Sequence, residues 1–129
     1  MEVNLPDVVA EAEEQFLRYE KALVSNDIPV LNELFWDDGQ VVRYGAMENL
    51  YSHADITRFR GQRPNDDLAR ELIRTVITTF GRDVAAISAE FRRTQSGRCG
   101  RQSQTWVRTD DGWRIVAAHV SLLDHQPSP

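Results

Sequence analysis

Apolar residues open the chain at helical intervals. Leu5, Val9, Ala12, Phe16, Tyr19 and Leu23 recur every three or four positions, which places them on one face of an α-helix. Glu11, Glu14, Arg18 and Lys21 take the opposite, solvated face. Asn4, three residues before Asp7, is the expected cap, and Pro6 is tolerated in a first turn. SNDIP stops this helix, and PVLNELFW predicts a short second one starting at Pro29. The period then drops to two. A strand runs to about Tyr44, Gly45 turns, and a short strand covers Asn49 to Tyr51; Ser52 begins a helix that continues to Arg60. GQRPNDD is a loop by composition. ELIRTVITTF, VAAISAEFRR, RQSQTWVRT and WRIVAAHVSLL read as strands, with a GRD turn, the loop TQSGRCG and an Asp110-Asp111-Gly112 hairpin between them. The tail DHQPSP is expected to fray.

Helices followed by strands on tight antiparallel turns make an α+β domain. Its expected form is a curved, mainly antiparallel sheet wrapped around the long N-terminal helix, a cone with one hollow end. With no repeat and no linker, residues 1–129 read as one domain.

Composition narrows the function classes. The chain is 41% hydrophobic and 27% charged, ordinary for a soluble globular protein. No apolar run is long enough to span a membrane, and the acidic N-terminus lacks the features of a signal peptide, so a cytoplasmic location is expected. The one cysteine, Cys99, excludes an internal disulfide and reads as an inert turn residue. A net charge of −5 argues against nucleic acid and anionic membrane as partners. Lys21 is the only lysine, so the basic residues are almost all arginines, which suit two-pronged recognition of carboxylates. A GC-rich genome would produce the same bias.

Four positions are candidates for chemistry. Tyr19 lies on the apolar stripe of the first helix, either as an ordinary core tyrosine or as a phenol aimed into the hollow. Arg43 interrupts a strand and shares a face with Val41. Facing inward it needs an anion or a solvated cavity, and facing outward a surface ion pair suffices. Trp113, Ile115, Ala117, His119 and Ser121 alternate onto one face, which would carry His119 towards the open end. Gln102, Gln104 and Trp106 alternate likewise, and two amides fit a wet pocket or an exposed face better than a dry core. Val116, Ala118 and Val120 would then form an outer apolar face, fit to bury against a second subunit. His53, His119 and His125 have no metal-ligand spacing, and phosphate-loop and nucleophile-elbow motifs are absent. Arg58, Arg60 and Arg63 read as a solvated helix end.

NLPDVVAE, RYEKALVSND, LNELFW, VRYGAMENLY, RTVITTFG, AEFRR and GRQSQTWVR…GWRIVAAHVSL together resemble the AtzH-like family. That family includes the oxalurate-catabolism proteins of HpxZ type and a decarboxylating amidohydrolase of s-triazine breakdown. It lies within the SnoaL-like and nuclear-transport-factor-like cone folds, and the tryptophan hairpin with its His-x-Ser strand is similar to the association domains of calmodulin-dependent kinases. The resemblance implies a pocket between the first helix and the sheet, with Tyr19 of RYE and Arg43 of VRYG as its essential pair. It implies a hydrolase of carboxylated ureides resembling dicarboxyurea or oxalurate, with Gln104 and His119 orienting the small anionic substrate, and with no metal or cofactor required. The alternatives are a non-catalytic ureide-binding protein and an assembly domain. A homodimer or homotetramer is expected, and Tyr19 and Arg43 are expected to meet in a water-accessible hollow.

Overall fold

A computed structural model describes residues 1–124. The first helix, α1 (Pro6–Val24), buries Val8, Ala12, Phe16, Tyr19, Ala22 and Leu23, a stripe slightly rotated from the expected one. Asn4 does not cap it. The residue adopts a left-handed backbone (φ 59°), and its amide oxygen accepts from the Thr79 backbone N–H at 2.9 Å. Its own N–H donates to the Thr79 carbonyl at 3.0 Å. The side chain that could have capped the helix ties the chain to the far strand instead.

Asp27 caps α2 (Ile28–Leu34) by accepting from the Val30 N–H. The helix ends before Phe35 and Trp36, because Phe35 is extended and bridges Ile115. There follow β1 (Val42–Tyr44), β2 (Asn49–Tyr51) and α3 (Ser52–Gln62), the last overrunning its expected end at Arg60. Four long strands complete the chain: β3 (Arg70–Phe80), β4 (Val84–Arg93), β5 (Cys99–Thr109) and β6 (Gly112–Leu122). Cys99 is therefore a buried strand residue rather than part of a turn.

The strands form a single sheet in the order β2-β1-β6-β5-β4-β3. All neighbours are antiparallel except β1 and β6. One face packs on the helices through Val41, Ala85, Ile87, Ala89, Trp106, Trp113 and Ile115. Gly100, also on that face, has no alternative: a Cβ there would meet the Phe91 ring at 2.3 Å. The α+β cone expected from the residue pattern is the observed fold.

A bulge in β6 corrects the expected facing of that strand. Trp106 pairs with Ile115 but Thr105 pairs with Ala117, which leaves Val116 without a partner. Beyond it the alternation is inverted. Ala118 and Val120 are buried, while His119 is exposed on the outer face, with its ring against Tyr44 at 5.7 Å. The outer apolar row expected from Val116, Ala118 and Val120 does not exist. Among the described residues no helix is long and apolar enough to cross a membrane. The expected frayed tail beyond Asp124, His125 included, lies outside the described residues.

Candidate active site

Tyr19 reaches the interior from the last third of α1, where its neighbours on the stripe leave it 1% exposed. Its ring meets Phe35 edge-on at 6.3 Å. The hydroxyl is held from β5: Gln102 Nε2 donates to it at 3.2 Å. The direction of that bond is fixed by chemistry. Arg70 on β3 donates from Nη2 to Gln102 Oε1 at 2.7 Å, and a guanidinium has only donors, so the amide NH2 is the end that faces the phenol. Arg70 is itself secured by Glu20, the next residue of α1, through two bonds of 2.9 and 2.7 Å, and it stacks 4.2 Å over the Phe91 ring. Glu20, Arg70 and Gln102 thus form a closed bracket around the Tyr19 oxygen, which is left to accept.

Arg43 faces inward, with Val41, and is 6% exposed. Its Nη1 donates to Glu48 Oε1 at 2.9 Å, and its guanidinium carbon lies 5.3 Å from the centre of the Phe59 ring. Gly45 makes room for that pair, since a Cβ at this position would lie 1.7 Å from Glu48 Oε1. Arg43 Nε is buried without a partner.

The residue pattern had placed Arg60 on a solvated helix end, and the structure overturns that. Arg60 is 1% exposed, with Nε, Nη1 and Nη2 all buried and unpartnered among the described residues. Its guanidinium lies 5.5 Å from the centre of Phe35, the ring that also meets Tyr19. Arg63, at the end of α3, keeps a weak bond of 3.4 Å to Asn26 and buries an unpartnered Nε. Only Arg58 behaves as expected, exposed and paired with Asp55. A signal was available: Ile56, Arg60 and Arg63 follow at spacings of four and three, the periodicity of a buried stripe.

This concentration of positive charge acts on Tyr19. Burial alone would push the phenol up, but the Arg60, Arg70 and Arg43 guanidiniums and the Gln102 hydrogen bond outweigh it and hold the group below its ordinary value. Burial pulls Arg60 down to about 10, against a favourable influence from the Tyr19 oxygen. That oxygen biases the guanidinium electrostatically, yet no Arg60 nitrogen makes a hydrogen bond of ordinary geometry. Of the two carboxylates bonded to these arginines, Glu20 and Glu48, Glu48 also acts favourably on Arg63, whereas neither is among the groups acting on Arg60.

Gln104 is buried on the same sheet face as Gln102; its oxygen accepts from Trp106 Nε1 at 2.8 Å, and its Nε2 is unpartnered. His119 does not join the site. The expected open hollow is also corrected, since Tyr19, Arg43 and Arg60 are all buried. A cleft of about 400 Å³ lined by Asn32, Trp36, His53, Asp111 and Arg114 contains none of these groups.

The fold and sequence have close counterparts. A protein of unknown function from the DUF3225 family of Pectobacterium atrosepticum SCRI1043 is 57% identical, with a TM-score of 0.92 and 95% of each chain covered. A cystatin-like fold protein from Burkholderia xenovorans LB400 is 47% identical, with a TM-score of 0.93 over 98% of this chain and 99% of that one. An NTF2-like protein of unknown function from Pseudomonas putida KT2440 shares the fold at 18% identity, with a TM-score of 0.78 over 94% of this chain and 97% of that one. Among curated proteins, none matches. The AtzH-like family model matches residues 1–126, and the chain belongs to that family.

Proposed function

We propose that the buried site is that of a hydrolase that decarboxylates a small carboxylated ureide, of the dicarboxyurea type, by acid–base chemistry at Tyr19. The observation that carries this reading is a phenol oxygen sealed from solvent, fixed as an acceptor by Gln102, and surrounded by guanidiniums that stabilise its anion. Such a phenol gives up its proton more readily than an ordinary tyrosine and is regenerated near neutral pH.

The substrate's carboxylate is drawn to the guanidinium cluster. Arg43, held by Glu48, stabilises charge that grows on the ureido carbonyl oxygen. Tyr19 transfers its proton to the nitrogen that bears an N-carboxyl group. The bond from that nitrogen to the carboxyl carbon breaks, its electron pair stays on nitrogen, and carbon dioxide departs. Water then returns a proton to the phenolate, which completes the cycle. Gln104 offers its unpartnered Nε2 to the substrate. Incubation of the purified protein with dicarboxyurea, followed by assay of carbon dioxide and of the ureide that remains, tests the proposal; oxalurate, which has no carboxyl group on nitrogen, is the control that should release no carbon dioxide. Turnover that survives Tyr19→Phe removes Tyr19 from the chemistry.

A ureide-holding protein that assists a separate hydrolase is the second reading, favoured by the closure of the site: Tyr19 and Arg60 are each 1% exposed. It predicts a rise in Tm with ureide and no product.

A further inference from the structure

We infer that Arg60, rather than Arg43, is the principal anion-binding group of this site, and that it takes a substrate carboxylate on the unpartnered edge of its guanidinium beside Tyr19. The inference rests on the reading of the buried pocket as a substrate site. It begins from a contrast among three arginines with buried side chains, each over a different phenylalanine ring. Arg70 has two bonds to Glu20 and one to Gln102. Arg43 has Glu48. Arg60 has no carboxylate: all three of its nitrogens are buried without a hydrogen bond of ordinary geometry among the described residues, and the Tyr19 oxygen is the one favourable polar group acting on it.

A guanidinium withdrawn from water without a counter-charge opposes folding, and proteins generally pair such groups or leave them exposed. After burial itself, the groups that act on Arg60 are Tyr19, Arg43 and Arg63, and no carboxylate is among them. Two of these three are themselves cations, so the local field calls for an anion. Phe35 lies beneath the guanidinium at 5.5 Å, and a stacked guanidinium keeps its N–H edge available for a planar, two-pronged partner. Arg43 is less suited, because Glu48 already occupies one of its donors and returns a negative charge. Arg63 Nε, also buried and unpartnered, supplies a further donor from the same helix end. Arg60 thus binds and orients the acid group, and Arg43 is left to the carbonyl.

Malonate is a suitable probe, because it carries the acid groups without the scissile bonds. Its affinity is to be measured by calorimetry and by Tm for the wild type and for the Arg60→Met, Arg60→Lys, Arg43→Met and Tyr19→Phe variants. The expected result is binding to the wild type, a loss of at least about tenfold in Arg60→Met, and a smaller loss in Arg43→Met. Arg60→Lys keeps the charge without the planar fork, and should fold as the wild type does while binding more weakly. Arg60→Met without ligand should have a raised Tm, which a purely structural arginine would not allow. Tyr19→Phe should lose turnover yet still bind malonate more tightly than Arg60→Met does, so that failure of the proposed chemistry and failure of this assignment give different results. Undiminished binding by both Arg60 variants, or no binding to the wild type, overturns the assignment.

Discussion

Gln102 donates to the Tyr19 hydroxyl at 3.2 Å, and because Arg70 holds the amide oxygen at 2.7 Å, the phenol can only accept from Gln102 and does not spend its own proton on it. The phenolic proton is therefore left for a ligand, and the same arrangement serves the anion once that proton has gone. Tyr19→Phe removes this one oxygen while keeping the ring against Phe35. Turnover should be lost almost completely, whereas stability should fall by only about 1 kcal/mol, the value of a single hydrogen bond. Chemical denaturation beside a product assay checks both halves.

The titration of Tyr19 follows from the guanidiniums around it. In a Tyr44→Phe, Tyr51→Phe background, tyrosinate absorbance should appear below the ordinary tyrosine range and move upward in Arg60→Met. A phenol lowered in the folded state binds fewer protons there than when unfolded. Its contribution to stability is therefore fully present above the ordinary tyrosine value and is lost as pH falls through the folded one. Arg60 acts at lower pH: its folded value of about 10 lies below the ordinary arginine value, so it destabilises the fold at neutral pH, and that penalty fades as pH rises from about 10 towards the ordinary arginine value. A titration no lower than that of free tyrosine would remove the cluster's influence on the phenol.

Gly45→Ala tests how Arg43 is held. The new methyl would lie 1.7 Å from Glu48 Oε1, the far end of a flexible side chain, so the carboxylate should swing away at little expense in stability. Arg43 then loses its 2.9 Å partner. Turnover should drop at least about tenfold while the Tm changes little, and Glu48→Gln should reproduce the effect.

Deletion of Val116 tests the bulge. Without the extra residue Ile115 and Ala117 become consecutive opposite Trp106 and Thr105, so Ala118 and Val120 stay inward and His119 stays outward. The deletion should therefore fold, seen as retained near-ultraviolet circular dichroism, and His119→Ala should leave turnover and stability close to the wild type; loss of the folded signal on deletion would show that the bulge itself is required.

Much of this arrangement was legible in the residue order, and what was not has physical causes. The stripe of α1 and the alternation of β5 placed Tyr19, Gln102 and Gln104 correctly, since each element keeps an unbroken period. Val41 and Arg43 likewise share the inner face. His119 was misplaced because a bulge inverts the alternation, and no residue type in VAAHV announces the insertion. Arg60 was passed over because an arginine near a helix C-terminus ordinarily reaches solvent. Its place in the Ile56–Arg60–Arg63 spacing argued otherwise, but only tertiary packing could show that no carboxylate accompanies it.

The two ties between α1 and β3 have a geometric consequence. Asn4 is bonded to Thr79 at one end, and Glu20 to Arg70 at the other. Along the helix those anchors are about 24 Å apart, but along an extended strand about 31 Å separates their partners. The long Glu20 and Arg70 side chains can span part of that difference, and a slant of β3 across the helix, with the irregularity between Leu72 and Arg74, can take up the rest. Two tethers of unequal spacing thus pin β3 against α1 on either side of the phenol.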